Sequence, residues 1–214
     1  PIASVESELK NKRNRILSIN GDVQIKITKD LSYRATVGVR KRTINNDVFY
    51  TERSKQAKNS GAPYGWKTIQ EQQSFMYNNV ITYDKVFNPE HHLTVVGGQE
   101  FIQNKSDYLR AGARQFESTN FGLADMSLGA SPDKVITRLE SDRMLSYFMR
   151  ANYNFKEKYL FAASVRADAS SKFGNDHKWG VFPAASFAWR ASEEDFIKNL
   201  NIFSNLKVRL SYGT

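Results

Sequence analysis

Two acidic residues on one predicted strand come closest to a catalytic arrangement. Glu140 and Asp142 alternate onto the same face, where the rise of a strand separates them by about 7 Å. Paired carboxylates at such a distance are typical of glycosidases. The alternative, which the sequence favours, is a pair of solvated acids that bind Arg143 or Arg150. The sequence also contains no Gly-x-Ser-x-Gly motif and no other nucleophile in a catalytic arrangement, so we predict no catalytic residue.

His91 and His92, which follow Glu90, are the candidates for metal binding. Successive residues of a strand point to opposite faces, so the two imidazoles do not easily share one ion. The sequence has no cysteine, which excludes Cys-based zinc sites, iron–sulfur clusters and thiol catalysis. Neither a lysine nor a helix start follows Gly97 and Gly98 at the offset that a phosphate loop needs. We therefore predict neither a metal site nor a cofactor.

Aromatic residues in two long predicted loops, 41–67 and 103–137, are the candidates for ligand binding. Sugar rings stack on aromatic faces, and peptides bury apolar side chains against them. Gly65 precedes Trp66 and would leave the backbone free to present that ring. The alternative is that these rings pack the loops against one another. The predicted substrate-binding residues are Tyr50, Tyr64 and Trp66 in the first loop and Tyr108, Phe116 and Phe121 in the second.

The elements that position these residues are predicted to be long β-strands. Apolar and polar residues alternate in eight runs, the clearest being 15–27, 31–40, 145–155 and 159–168. Runs of about ten residues suit a tilted strand that crosses a bilayer, whereas the strands of soluble sandwiches are nearer five or six. The alternation predicts lipid-facing positions at Leu17, Ile19, Val37, Tyr147, Val165 and Phe187, and lumen-facing positions at Asn20, Arg34, Arg150, Arg166 and Arg190.

The connections between the runs alternate in length, which is typical of an outer-membrane barrel. We predict short periplasmic turns at 28–30, 84–90 and 156–158, and long extracellular loops at 41–67, 103–137 and 170–178. One connection differs from this rule. The spacing of Ser192, Glu193, Glu194 and Asp195 matches a capping box and predicts a short helix before residue 200, on the side of the short turns.

The amino-acid composition excludes several other classes of protein. The 214 residues include 31 Lys and Arg against 22 Asp and Glu, a net charge of +9, and 40% are hydrophobic. Such a chain is too apolar to be disordered, yet it has no run of about 18 apolar residues for a membrane-spanning helix. A positive charge also suits nucleic-acid binding, but the basic residues are distributed over separate strands. We therefore predict no nucleic-acid partner.

Residues 159–199 carry a more specific pattern. The chain reads Arg166-x-Asp168-x-Ser170-Ser171-x-Phe173-Gly174 and then Trp179-Gly180-x-Phe182-Pro183-x-x-Ser186-x-x-Trp189-Arg190. This hairpin resembles one found in the SusC/RagA family of TonB-dependent outer-membrane transporters. The closing run 206–213 resembles the strand that follows it there. The specific match covers about a quarter of the chain.

The resemblance implies an all-β fold, an antiparallel transmembrane β-barrel of about 22 strands, of which this chain supplies about eight. It implies that residues 1–214 are part of a single barrel domain of a longer protein, without the plug domain. It also implies uptake of an oligosaccharide or oligopeptide across the outer membrane of a Gram-negative, Bacteroidetes-like bacterium. The implied partners are a SusD-like surface lipoprotein, outer-membrane lipid, and TonB, which would contact the N-terminal part that is missing here.

Two alternatives follow from the strands alone. The first is a self-closed, eight-stranded outer-membrane barrel with an adhesive or structural role. The second is a soluble all-β carbohydrate-binding module. An integral barrel should stay with outer membranes after a carbonate wash, whereas a soluble module should not, and the mass of the intact protein distinguishes a self-closed barrel from a segment of a larger one.

Overall fold

A single antiparallel sheet dominates the computed structural model, which describes residues 7–174, 178–200 and 202–214. The strand order is β1-β2-β3-β4-β6-β7-β8-β9, and the short β5 pairs with β4 outside this path. Within the described residues, β1 and β9 stand at opposite ends of the order, so the sheet is not closed. The strands are β1 (Glu8–Lys26), β2 (Leu31–Tyr50), β3 (Tyr64–Asn88), β4 (His91–Phe116), β5 (Gly129–Pro132), β6 (Ile136–Phe155), β7 (Tyr159–Ser170), β8 (Trp179–Trp189) and β9 (Val208–Gly213).

Short helical segments lie in the connections. They are α1 (Lys55–Ser60), α2 (Asp195–Lys198) and the 3-10 turns Met126–Leu128 and Ala191–Glu193. The Ser54 hydroxyl accepts a hydrogen bond from the Ala57 N–H at 3.0 Å and begins α1, and Gly61, with φ of 82°, ends it. No helix among the described residues is long and apolar enough to span a membrane.

The predicted loops 41–67 and 103–137 are wrong in extent, because the strands continue into them. β2 ends at Tyr50 and β3 begins at Tyr64, which leaves a connection of residues 51–63. β4 ends at Phe116 and β6 begins at Ile136, and the intervening segment contributes β5 as a ninth strand. The apolar stripe marks only part of each strand, since backbone hydrogen bonds extend the ladder wherever the side chains tolerate an extended chain.

The short turns are confirmed, and one is tighter than predicted. Residues 27–30 and 156–158 connect strands as expected, while the predicted turn 84–90 shrinks to residues 89–90. At the turn after β6, Lys156 and Glu157 adopt positive φ angles of 55° and 53°, and the Lys158 N–H donates to the Phe155 carbonyl at 3.0 Å. Left-handed turn residues match the twist of antiparallel hairpins.

The described residues divide into two compact units. Unit 1 contains residues 7–19, 39–74 and 104–141, and unit 2 contains residues 20–38, 75–103, 142–174, 178–200 and 202–214. Each unit has its own internal packing.

Unit 2 separates an apolar from a polar face, as the alternation predicts. β6 and β7 pair without interruption from Met144↔Ser170 to Phe155↔Tyr159, which places Tyr147, Met149 and Val165 on one face. Their side chains are 47%, 53% and 42% exposed, although all are apolar or aromatic. Rings of Phe161 and Phe187 continue this face, with centroids 5.0 Å apart. An exposed apolar face of this extent is typical of a surface that another apolar phase covers.

Unit 1 contains two clusters of buried hydrophobic residues. Phe49 and Phe116 pack edge to face, with centroids 5.1 Å apart, and Ala113 and Leu123 complete their cluster. A second cluster contains Val48, Tyr50 and Ala57, with Tyr64 and Trp66 packed against it. Ala57 belongs to the connection 51–63, and Leu123 belongs to the connection 117–135. Each residue packs into a buried cluster, so both connections contact the strands that they join.

Candidate substrate-binding site

Three of the predicted ligand-binding residues come together in unit 1. The ring of Tyr50 lies 5.0 Å from that of Tyr64 and 5.9 Å from that of Trp66, measured between centroids. Tyr64 and Trp66 are nearly parallel, at 26° and 6.0 Å. Tyr50 is the last residue of β2, and the other two lie near the start of β3. These three rings are therefore strand residues, and not loop residues as predicted.

Two arginines of β4 cover these rings. The Arg110 guanidinium carbon lies 4.2 Å from the Trp66 ring centroid, and that of Arg114 lies 5.3 Å from the Tyr64 centroid. A cation over an aromatic face is stabilising by about 0.5–2 kcal/mol, depending on its hydration. Residues four apart on a strand share a face, so β4 presents both guanidinium groups to the rings of β3.

Asp133 fixes the two arginines. Its carboxylate accepts from Arg114 Nε at 3.1 Å and lies 3.8 Å from an Arg110 terminal nitrogen. Burial raises the pKa of Asp133, but the Lys134 N–H and the Arg114 hydrogen bond outweigh burial, so this pKa lies below its ordinary value. We call Tyr50, Tyr64, Trp66, Arg110, Arg114 and Asp133 the aromatic–arginine cluster.

Glycine at position 65 permits a close approach of strands beneath this cluster. A Cβ at Gly65 would lie 2.6 Å from the Val48 carbonyl oxygen and 2.7 Å from Phe49 Cδ2. A Cβ at Gly112 would lie 2.6 Å from the Gly65 carbonyl oxygen. The interpretation of Gly65 as a flexible residue that frees the Trp66 ring is therefore wrong. Gly65 is buried, and its role is to let neighbouring backbone and rings pack closely.

The remaining predicted residues lie apart from the cluster. Tyr108 has the Arg138 guanidinium 5.9 Å from its ring centroid. Phe116 is 4% exposed and belongs to the core of unit 1, so its ring presents no free face. Phe121, in the connection 117–135, is 64% exposed. Contact between a substrate and any of the six predicted residues stays a prediction.

Asp142, His91 and His92, which were considered for catalysis and metal binding, have other partners. Asp142 lies 3.6 Å from Lys172 Nζ, a cation that the sequence did not single out. His91 Nδ1 lies 2.6 Å from the Tyr153 hydroxyl, whereas His92 Nε2 lies 2.5 Å from an Asp84 carboxylate oxygen. The two histidines therefore bind different partners. No group of three His, Cys, Asp or Glu residues within the described ranges is arranged to hold a metal ion.

The polar face of unit 2 carries an ion-pair network across three strands. Arg166 of β7 donates to Glu100 of β4 at 2.9 Å and to Asp168 at 2.8 Å. The Phe148 ring lies beside it, with its centroid 5.9 Å from the guanidinium carbon. Gly98 makes room for that ring, since a Cβ there would lie 2.6 Å from Phe148 Cζ. The guanidinium group of Arg166 is therefore held by two carboxylates and packed beside an aromatic ring.

An anchor centred on Glu194 holds the connection between β8 and β9. Its carboxylate accepts from the Tyr159 hydroxyl at 2.7 Å, from Trp189 Nε1 at 3.2 Å and from Lys158 Nζ at 3.1 Å. The short helix expected here is confirmed as α2, but the capping box is wrong. Ser192 lies within the preceding 3-10 turn, and Glu194, the residue before α2, makes no side-chain capping bond because its carboxylate is used elsewhere.

These bonds make the anchor sensitive to acid. The hydrogen bonds from Tyr159, Trp189 and Lys158 lower the pKa of Glu194 from 4.5 to about 2. A carboxyl whose pKa is lower in the folded state stabilises the fold fully above its unfolded pKa, and this contribution disappears as the pH falls towards the folded pKa. We expect the complete protein to lose more thermal stability than its Glu194→Gln variant between about pH 6 and pH 2.5. Parallel melting curves against pH would contradict this role.

Comparison with known proteins agrees with this architecture. A family model described as TonB dependent receptor-like, beta-barrel matches residues 6–214. The chain belongs to this family. The strand pattern that predicted a barrel segment therefore identifies the fold correctly.

Relatives place the chain within the SusC/RagA type of TonB-dependent receptor. TonB-dependent receptor P39 of Formosa agariphila is 28% identical over 213 residues, which cover 100% of this chain and 20% of that protein. TonB-dependent receptor SusC of Bacteroides thetaiotaomicron is 32% identical over 152 residues, which cover 70% of this chain and 15% of SusC. The RagAB peptide importer in its closed-closed state superposes with a TM-score of 0.86 at 25% identity, covering 97% of this chain and 23% of that one.

The TonB-dependent receptor segment thus spans about a fifth of the length of the relatives that it matches. Sequence reasoning found three rings of its aromatic–arginine cluster and missed Arg114, Asp133 and the stacking of Arg110 on Trp66. The sequence does contain a signal for the two arginines, because Arg110, Gly112 and Arg114 are two residues apart and share one face of β4. It was overlooked because these residues were assigned to a loop.

Proposed function

We propose that the complete protein imports oligosaccharides or oligopeptides across the outer membrane, and that this chain is part of the wall of its single β-barrel domain. The observation that carries the proposal is a sheet of long strands with one apolar and one polar face, in a chain that belongs to the TonB-dependent receptor family. The apolar face meets lipid and the polar face lines the lumen. The chain acts in transport and not in catalysis.

The partners follow from the same family relationship. A SusD-like surface lipoprotein would cover the extracellular side, and TonB would contact a plug domain that lies outside these residues. The relatives include a peptide importer, RagAB, which supports a peptide as one class of substrate. The self-closed small barrel has less support, because β1 and β9 remain unpaired with one another in the described part of the sheet.

An uptake experiment tests the import function. Cells that express the complete protein should accumulate labelled peptides or oligosaccharides of a size that passive porins exclude. Accumulation should stop when either the transporter or TonB is deleted, because transport against a gradient requires energy from the inner membrane. Equal accumulation in all three strains would contradict the proposal.

The aromatic–arginine cluster is the proposed contact surface for substrate. We expect Trp66→Ala to weaken binding of the imported oligomer by about 1 kcal/mol or more, because the half-buried ring still exposes apolar area beside the stacked Arg110 guanidinium. The amount of transporter in the membrane should stay unchanged. Equilibrium binding to the purified complete protein and quantification in membranes measure the two effects.

A matched control distinguishes the loss of a ring that contacts substrate from the loss of any exposed aromatic side chain. Phe173 is 62% exposed in the connection after β7 and is not a candidate for binding, so Phe173→Ala should leave the affinity unchanged. If Trp66→Ala lowered the amount of transporter at unchanged affinity, the ring would have a packing role instead.

A further inference from the structure

A groove lies on the face of unit 2 that carries the exposed apolar side chains. Its volume is about 500 Å³. Ile81 and Tyr83 of β3 form one wall, and Tyr147 and Met149 of β6 form the other. β4 lies between these two strands and contributes Gly97 to the floor. Because glycine has no side chain, the floor lies below the side chains on either side.

Close packing does not require glycine at position 97. Outside its chain neighbours, a Cβ at Gly97 would come no closer than 3.9 Å to another atom, the Phe148 carbonyl oxygen. The next residue differs, since a Cβ at Gly98 would lie 2.6 Å from the Phe148 ring. A larger side chain therefore fits at position 97, and the effect of glycine there is to keep the groove open.

Two amide side chains lie on this apolar face, at one end of the groove. Gln99 follows Gly97 by two residues on β4, so the two residues share a face. Gln99 Nε2 lies 3.5 Å from the Tyr147 hydroxyl, at the long end of hydrogen-bond distances. Asn79 of β3 accepts a hydrogen bond from the Tyr33 hydroxyl at 2.6 Å. Both amides are half-buried.

Apolar residues enclose the two amides along their strands. On the groove side lie Ile81 and Gly97, and on the far side lie Tyr77 and Phe101, whose ring centroids are 5.5 Å apart. The hydrocarbon core of a bilayer has no water to bond a polar group at this level. An amide has two N–H donors and a carbonyl acceptor, so one bond to a tyrosine leaves capacity for a ligand. A polar side chain on a lipid-facing surface therefore indicates a binding role.

The groove and the amides lie away from the edges of the sheet. β2 and β7 flank the three strands β3, β4 and β6, so each of the three has a neighbour on both sides within this chain. Further strands of the complete barrel would join at β1 and β9, and a plug domain would lie in the lumen. In the proposed arrangement, lipid therefore covers the outer face of these middle strands.

The amides lie in the outer half of the apolar band. Gln99 is eight residues from His91, where β4 follows a short turn, and Tyr147 is eight residues from Phe155, where β6 ends at another. Eight residues of a strand tilted by about 40° rise about 20 Å along the membrane normal, within an apolar band about 25 Å tall. With these turns in the periplasm, the adjacent lipid belongs to the outer leaflet.

We infer that this groove binds a hydroxylated acyl chain of an outer-leaflet lipid. A hydroxyl group both donates and accepts, so it can bond to the Gln99 amide and to the Tyr147 hydroxyl, while the methylene groups lie over Gly97. A plain hydrocarbon chain would leave the amide without such a partner. The inference rests on the proposed placement of the apolar face in lipid, and it adds one specific lipid to general contact with the bilayer.

Native mass spectrometry of the purified complete protein in detergent tests the inference. The two probes are phosphatidylethanolamines with two 3-hydroxymyristoyl chains or with two myristoyl chains, so that only the hydroxyl groups differ. The hydroxylated lipid should bind about three- to tenfold more tightly, the range expected for hydrogen bonds in an apolar medium. Equal affinities for the two lipids would overturn the inference.

Substitutions at the polar end of the groove locate the preference. Gln99→Leu and Tyr147→Phe should each reduce the preference for the hydroxylated lipid and leave binding of the plain lipid unchanged. Tyr147→Phe keeps the ring that stacks on Trp179, at 6.1 Å between centroids. The matched control is Gln103→Leu, which removes an amide four residues along the same face of β4 and should retain the preference. A preference that survives in Gln99→Leu, or that falls equally in Gln103→Leu, would contradict the assignment.

Filling the groove gives an independent measurement. Gly97→Leu should weaken binding of both lipids about threefold or more. Gly21→Leu, at another open position on a strand, should leave both affinities unchanged. Unchanged melting temperatures would verify that both variants fold. Unchanged affinities in Gly97→Leu would overturn the inference, and so would a dimer that Gly97→Leu dissociates, since a second copy would then cover the groove.

The result is separable from the import function. If TonB-dependent uptake of every tested oligomer is absent but the lipid preference depends on Gln99, the proposed transport fails and the lipid site stands. If uptake is TonB-dependent but both lipids bind equally, the transport function stands and the lipid site fails.

Discussion

Replacing Val37 with arginine is expected to destabilise the complete barrel by about 2–4 kcal/mol, the cost of a cation facing lipid near the middle of a bilayer. Val37 lies on β2, is 46% exposed and belongs to the run of alternating apolar residues that predicts the lipid-facing side. Unfolding by denaturant in lipid vesicles measures the effect.

The neighbouring Arg34 supplies the control. Arg34 lies on the opposite side of β2 and is exposed, with a partly exposed partner in Asp22. Exposed ion pairs contribute little to stability, so Arg34→Gln should cost less than about 1 kcal/mol. If both variants were equally stable, the assignment of the two faces would be wrong.

The second large effect is expected from a methyl group at position 65, which should lower both the stability of the barrel and its affinity for ligand. Gly65→Ala places a Cβ against the Val48 carbonyl oxygen and the Phe49 ring, at distances that real contacts do not reach. Because one neighbour is backbone, strands β2 and β3 must shift to accommodate it, and overpacking of this kind costs about 1–3 kcal/mol. The shift also disturbs Trp66, the next residue, so ligand binding should weaken together with stability.

Gly21→Ala is the matched substitution for this test. A Cβ at Gly21, also on a strand, would meet nothing within 4 Å. Its unfolding free energy should therefore stay within about 0.5 kcal/mol of the parent. Equal stability of the two variants would show that the close approach at Gly65 is not required.

The alternation of side chains predicted the fold because it depends on local geometry. Each strand must show one apolar and one polar face, and Tyr147, Met149 and Val165 show this before any pairing is known. The ends of the strands do not follow from this signal. At residues 41–47 and 104–107 polar side chains occupy both faces, yet the ladder continues because the backbone donors and acceptors still need partners.

The candidate site was predicted only in part, because its contacts join distant segments. Tyr50, Tyr64 and Trp66 attract attention as aromatic residues near glycine and polar residues. Arg110 and Asp133 take their places only when β4 extends to Phe116 and β5 folds back onto it, pairing Ala113 with Pro132.

Cysteine labelling of intact cells tests most directly whether this segment spans the outer membrane. The native residues contain no cysteine, so Lys29→Cys in the turn after β1 and Asn59→Cys at the exposed end of α1 are unique labels within the segment. An impermeant thiol reagent should label Asn59→Cys in whole cells, and should label Lys29→Cys only after the outer membrane is permeabilised. Labelling of both positions in whole cells, or of Lys29→Cys alone, would contradict the account.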